Sequence, residues 1–200
     1  MKRVLKLLPI IAIMFVLGAC SQGHSKKATS SSIATTDKIA FSVHDFTNIQ
    51  LDYLSHASTK ESTGWSKTQA TTSLGSSNGE SSGSIAGHAD QTLSWVKGNS
   101  RITITFAGKN GENGAFVKTI TNAEKTKAMK SASLKVAKSI KLGDSAKTVK
   151  NKLGTAANQT QNQTSDGHIV DTWVYTLANG TQMTIKLDNQ KIINLQYVEK

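Results

Sequence analysis

The chain has 200 residues, 24 of them Lys or Arg against 13 Asp or Glu, for a net charge of +11. A single cysteine excludes a disulfide-stapled fold and any multi-cysteine metal site. Arginine is nearly absent (Arg3 and Arg101) and the lysines are scattered, which speaks against a nucleic-acid-binding protein.

In chain order, Met1-Lys2-Arg3 gives a charged start and Val4 to Leu17 is an almost unbroken apolar run. Leu17-Gly18-Ala19-Cys20 follows: a branched apolar residue, two small residues and the lone cysteine. The three parts together resemble a bacterial lipoprotein signal peptide with its lipobox. That resemblance implies removal of residues 1–19 and a diacylglycerol on the Cys20 sulfur. The mature chain would be lipid-anchored on the extracytoplasmic face of the cell membrane. Loss of Lys2, Arg3 and Lys6 would lower the net charge to +8, still basic enough to favour anionic headgroups or cell-wall polymers. Residues 20–40 are Ser, Thr, Lys and Gly with few apolar positions, a composition expected to form a flexible tether.

The remainder reads as one unit written twice, over 41–122 and 123–200. Gly64-Trp65-Ser66 and Leu74-Gly75 recur as Gly143-Asp144-Ser145 and Leu153-Gly154. Ser94-Trp95-Val96 recurs as Thr172-Trp173-Val174, and the Ile102–Phe106 run as Met183–Leu187. Ser66 and Ser145 suit helix N-caps, so short helices are expected over Lys67–Ser73 and Ala146–Lys152. Gly75 and Gly154 suit their ends, where φ is positive. Ile102, Ile104 and Phe106 alternate with Arg101, Thr103 and Thr105; Met183, Ile185 and Leu187 alternate with Gln182, Thr184 and Lys186. This period of two marks half-buried strands. Asn179-Gly180 signals a tight hairpin. Val117–Thr121 and Ile192–Val198 read as the closing strands. Met129, Ala132, Val136 and Ile140 have helical spacing, with Phe46 and Ile49 as their counterpart in the first unit. The expected fold is α+β: two tandem units, each with short helices on an antiparallel sheet of about four strands.

The order G-x-S, helix, L-G, polar hairpin, W-V-Y and alternating strand resembles the β-lactamase-inhibitor-protein-like fold. It is similar to lipoproteins of unknown function from Gram-positive bacteria that carry this unit twice. In shape it is distantly similar to the small lipoprotein of the outer-membrane assembly machinery. The likeness spans roughly Phe41 to Lys200 and is clearer in the second unit. The first unit carries an insertion around Ser55–Thr63, and Lys97 stands where the second has Tyr175. The resemblance implies a fold; none of the inhibitor's loop residues match, so no site is carried over from it.

Catalytic patterns fail on context. Gly75-Ser76-Ser77-Asn78-Gly79 fits G-x-S-x-G but follows a helix and enters a Ser/Gly loop. Ser94-Trp95-Val96-Lys97 fits S-x-x-K but reads as strand. The five histidines are scattered, and no metal or cofactor site is expected. The chain therefore reads as a non-enzymatic binding module. Trp65 and Tyr175 are candidate aromatic anchors, with Trp95 and Trp173 read as core. Arg101, Thr103, Thr105, Gln182, Thr184 and Lys186 form the candidate polar face. An envelope protein is the expected partner; a cell-wall polymer or glycan is the alternative, as is inhibition of a β-lactamase-like or other envelope enzyme.

Overall fold

The computed structural model describes residues 40–127, 129–164 and 167–199. The expected signal peptide, the expected lipobox with Cys20, and the expected tether apart from Ala40 lie outside the described residues.

Among the described residues there are five short helices, α1 Val43–Thr47, α2 Leu54–Ala57, α3 Lys67–Leu74, α4 Leu134–Ala137 and α5 Ala146–Leu153. Serine opens four of them, because its oxygen accepts a free amide of the first turn. Ser42, Ser66, Ser133 and Ser145 accept from Asp45, Gln69, Val136 and Thr148 backbone N–H respectively. Gly75 and Gly154 close α3 and α5 with φ of 91° and 78°, so the expected helix ends hold. The helix expected from Met129 to Ile140 is only α4. Ser133 caps it late, and Met129 instead bridges Gly154 in extended backbone.

The described residues also form eight strands, four before α4 and four after α5: β1 Gly79–Ile85, β2 His88–Lys97, β3 Ser100–Ala107, β4 Ala115–Thr121, β5 Asn158–Gln163, β6 Ile169–Thr176, β7 Gln182–Asp188 and β8 Lys191–Val198. Each is antiparallel to the next, in a single meander ordered β1 to β8. Two separate four-stranded sheets were expected. Instead β4 pairs with β5 from Val117↔Asn162 to Ile120↔Gln159, and one sheet runs through.

Helices α1, α3, α4 and α5 share one face of this sheet, whereas α2 sets Ala57 and Leu54 against Ala107, Phe116 and Val117 at one corner of the other face. One row across the four-helix face is Trp95, Ile102, Ile120, Gln159, Trp173, Ile185 and Leu195. The next is Leu93, Ile104, Lys118, Gln161, Asp171, Leu187 and Ile192. Their apolar members form two clusters, one with Ala70 and Leu74 of α3 and one with Val149 and Leu153 of α5. Burying each large side chain contributes about 2 kcal/mol. Between the clusters, the middle of both rows is polar: Lys118, Gln159, Gln161 and Asp171.

The two halves use matched anchors. Trp95 pairs with Ile102 and donates Nε1–H to Gly75 O at 2.7 Å. Tyr175 pairs with Met183 and donates its hydroxyl to Gly154 O at 3.0 Å. The residue doing what Trp95 does is thus Tyr175, two positions from the Trp173 that sequence matching selects. Trp173 sits one pair further along, against Ile185, with Lys150 Nζ 5.0 Å above its ring.

Candidate functional site

The face opposite α1, α3, α4 and α5 is built by the alternate residues of the same strands. Its central row is Ser94, Thr103, Thr119, Thr160, Thr172, Lys186 and Asn194, one from each of β2 to β8. Threonine belongs on such a surface, since its branched side chain packs on the pleat and its hydroxyl still reaches water. The row's four threonines are half-buried, whereas Lys186 is exposed. Thr119 and Thr160 hydroxyls are 3.1 Å apart across the β4–β5 junction. One row over, Thr92 and Thr105 hydroxyls are 2.8 Å apart. Such cross-strand pairs stabilise the sheet by a few tenths of a kcal/mol to about 1 kcal/mol each.

The sequence-derived face is present but divided. Arg101, Thr103 and Thr105 lie on β3; Gln182, Thr184 and Lys186 lie on β7. Four strand spacings separate them, roughly 19 Å. Thr119, Thr160 and Thr172 fill the gap and make the surface continuous; sequence reasoning missed them. Thr105 lies on the same face but is buried, its hydroxyl paired with Thr92, so it is not presented to a partner. Arg101 and Lys186 stand exposed on opposite halves and place one cation towards each side.

The aromatic candidates do not join this face. Tyr175 is buried under α5 and its hydroxyl is held by Gly154 O, so it is a core anchor and leaves the set of surface contacts. Burial pushes its phenol well above the ordinary value. Trp65 is half-buried against the first core cluster. Among the described residues, no exposed aromatic side chain stands on the open face.

The Ser55–Thr63 segment has its own organiser, Asp52, buried at 3 % exposure. One carboxylate oxygen accepts from Tyr53 N–H at 2.9 Å. The other accepts from Thr63 N–H at 2.8 Å and Ser62 Oγ at 3.1 Å, and lies 2.6 Å from His56 Nδ1. Burial raises this carboxyl, but the bonds from His56, Thr63, Ser62 and Tyr53 outweigh it and hold the group below the ordinary aspartate value. Serine, histidine and aspartate are thus together, yet Ser62 donates to the carboxylate and not to the imidazole. A nucleophilic relay needs the serine on the histidine. The cluster ties α2 to the β3–β4 connection, where Gly114 N–H donates to Ala57 O and Asn113 Nδ2 to Ser58 O. The sequence signal for it was Asp52 and His56 at i, i+4, without a strong enough helix to support it.

The two catalytic look-alikes resolve structurally. The G-x-S-x-G segment runs from helix to strand, the reverse of a nucleophile elbow. Ser94 and Lys97 lie three apart on β2 and therefore project to opposite faces.

A second feature lies on the helix side, at the polar junction of the two clusters. A cleft of about 320 Å³ opens between the end of α1 and β4–β6, lined by Ile49, Leu51, Thr63, Lys118, Gln161 and Ile169 among others. Lys118 is only 3 % exposed, and its Nζ donates to Ile49 O at 2.6 Å, 4.7 Å from the centre of the Phe46 ring. Burial pushes its ammonium down to about 8, against a smaller opposite pull from Asp171. Asp171 accepts from Gln161 Nε2 at 2.8 Å. Burial raises this carboxyl, opposed by the Gln161 bond, Lys150 and Lys118.

No family model matches the chain, and no curated protein sequence does. Its fold is similar to the crystal structure of a candidate β-lactamase inhibitor protein from Streptococcus mutans. The two are 18 % identical with a TM-score of 0.59, over 78 % of this chain and 94 % of that one. The chain thus has a β-lactamase-inhibitor-like fold, dominated by one eight-stranded antiparallel sheet with a few short helices.

Proposed function

We propose that this protein is a lipid-anchored, non-enzymatic binding module of the cell surface, holding an envelope protein on the open face of its sheet. The observation that carries the reading is the continuous, half-buried hydroxyl row from Ser94 through Thr172, ending at the exposed Lys186, on the face opposite the two larger core clusters. Without exposed aromatics, such a face recognises a partner through hydroxyl and amide hydrogen bonds, with Arg101 and Lys186 as flanking cations. We further read the body as two copies of one unit, 41–122 and 123–200, joined at β4–β5. The matched caps Ser66 and Ser145, and the matched Trp95 and Tyr175 anchors, support that division. The lipobox supports anchoring through Cys20: Cys20→Ala is expected to move the protein from the membrane fraction to the medium.

The deciding experiment places a photo-crosslinking amino acid at Thr172 in the full chain on producing cells, with Val136 on the helix side as control. One protein crosslinked from Thr172 and absent from Val136 supports the reading. Equal crosslinking from both, or none from Thr172, overturns it. Crosslinking to wall polymer, abolished by high salt, would instead favour the basic wall-associated module. A narrower reading, inhibition of a β-lactamase-like enzyme, draws on the structural neighbour. Loss of activity of such an enzyme on adding the protein, reversed by Thr172→Glu, would support it.

A further inference from the structure

We propose that the cleft at the β4–β5 junction is a binding site for a carboxylate carried on a short aliphatic stem, with Lys118 as its charge partner. The site is on the helix side and does not depend on the open-face reading.

Three observations lead there. An ammonium has three donors, and among the described residues the acceptor within reach of Lys118 Nζ is Ile49 O alone. The remaining donors belong to a side chain that lines a cleft. A buried cation with unused donors is costly, and such a group calls for a ligand or a structural reason. Asp171 does not supply that reason directly. It lies two strands away in the row, roughly 10 Å, and its carboxylate is engaged by Gln161. The rest of the cleft sets the ligand's character. Ile49, Leu51 and Ile169 offer an apolar wall for a stem, and Thr63 and Gln161 offer polar groups at the rim. One cation, with Asp171 nearby, suits a single negative charge better than a phosphate dianion. The volume of about 320 Å³ lies at the small end of ligand pockets.

A free small acid and the C-terminal carboxylate of a partner chain share this chemistry. The test uses the full chain in detergent, observed by amide NMR. The probes are 4-methylpentanoate and acetyl-Gly-Gly-Leu, each beside its carboxamide. The expected result is saturable movement of the Ile49, Lys118 and Gln161 amides with a carboxylate, about tenfold or more weaker with the matching amide. Movement with 4-methylpentanoate alone assigns the site to free acids; tighter binding of the peptide assigns it to a chain terminus. Lys118→Met is expected to abolish the response. Ile169→Trp, a change at the exposed rim, is expected to block the cleft with the amine intact, and covers the case in which Lys118→Met fails to fold. Equal response to acid and amide, or no saturable response at Ile49 and Gln161 with either acid, overturns the proposal. So does an unchanged response in either variant.

Discussion

Gly64 and Gly143 hold matching places in the sequence, yet different physics requires each. A Cβ on Gly64 would stand 2.4 Å from Ala115 O and 3.1 Å from Asp52 N, both backbone atoms that cannot step aside. The close approach lets Trp65 bridge the core: its N–H donates to Gln50 O, and its own carbonyl accepts from Ala115 N–H. Gly143 has open space around it, but its φ is +84°. Gly64→Ala therefore forces a backbone shift, and Gly143→Ala only a strained dihedral. We expect Gly143→Ala to cost about 1 kcal/mol. Gly64→Ala should cost more, about 2 kcal/mol or above, in the manner of an overpacked core site. Urea unfolding of both variants checks this; a smaller loss for Gly64→Ala would contradict the packing argument.

At the scale of the element, the helices are too short to persist alone and depend on caps and packing. α5 illustrates this. Ser145 Oγ accepts from Thr148 N–H at 3.1 Å, and Val149 and Leu153 enter the core. Ser145→Ala is expected to cost about 1 kcal/mol, seen as a lower urea midpoint at unchanged slope. These serine and glycine punctuation marks made α3 and α5 legible in the sequence to within one residue. The alternation of β3 and β7 made the buried face of each legible too. β1 offered no such signal, because all seven of its residues are exposed and neither face is apolar. β5 offered none either: Asn158–Gln163 is polar on both faces, with Gln159 buried. The candidate face was therefore read from its flanks, Arg101 to Thr105 and Gln182 to Lys186. Thr119 and Thr160 occupy the polar junction, where hydropathy has no contrast. Trp95 was matched to Trp173 by residue type, whereas the pairing register makes Tyr175 its counterpart. The hairpin after Lys97 closes in two residues and the one after Thr176 in five, which shifts the match.

Across the whole molecule, the two apolar clusters are separated by a polar strip, and that strip should govern the response to alkali. Lys118 is charged in the unfolded chain up to about pH 10.5, but burial lowers its folded value to about 8. The folded state therefore disfavours the charged form, and the penalty is fully present below pH 8. As pH rises from 8 towards 10.5, the folded protein loses the proton first and the penalty fades, so stability increases with pH. The shift corresponds to about 3 kcal/mol in full, of which roughly 2 to 3 kcal/mol is recovered by pH 10. Tyr175 acts in the opposite sense above that point. Its phenol stays protonated in the core while the unfolded chain ionises, so stability falls beyond about pH 10. The expected profile is a rise between pH 8 and 10 followed by a decline. In Lys118→Met the rise should disappear and the decline remain. Chemical denaturation at several pH values separates the two contributions. A wild-type profile that is flat or falling between pH 8 and 10 would mean that the Lys118 ammonium stays hydrated through the cleft it lines, and that its burial does not penalise the charged form.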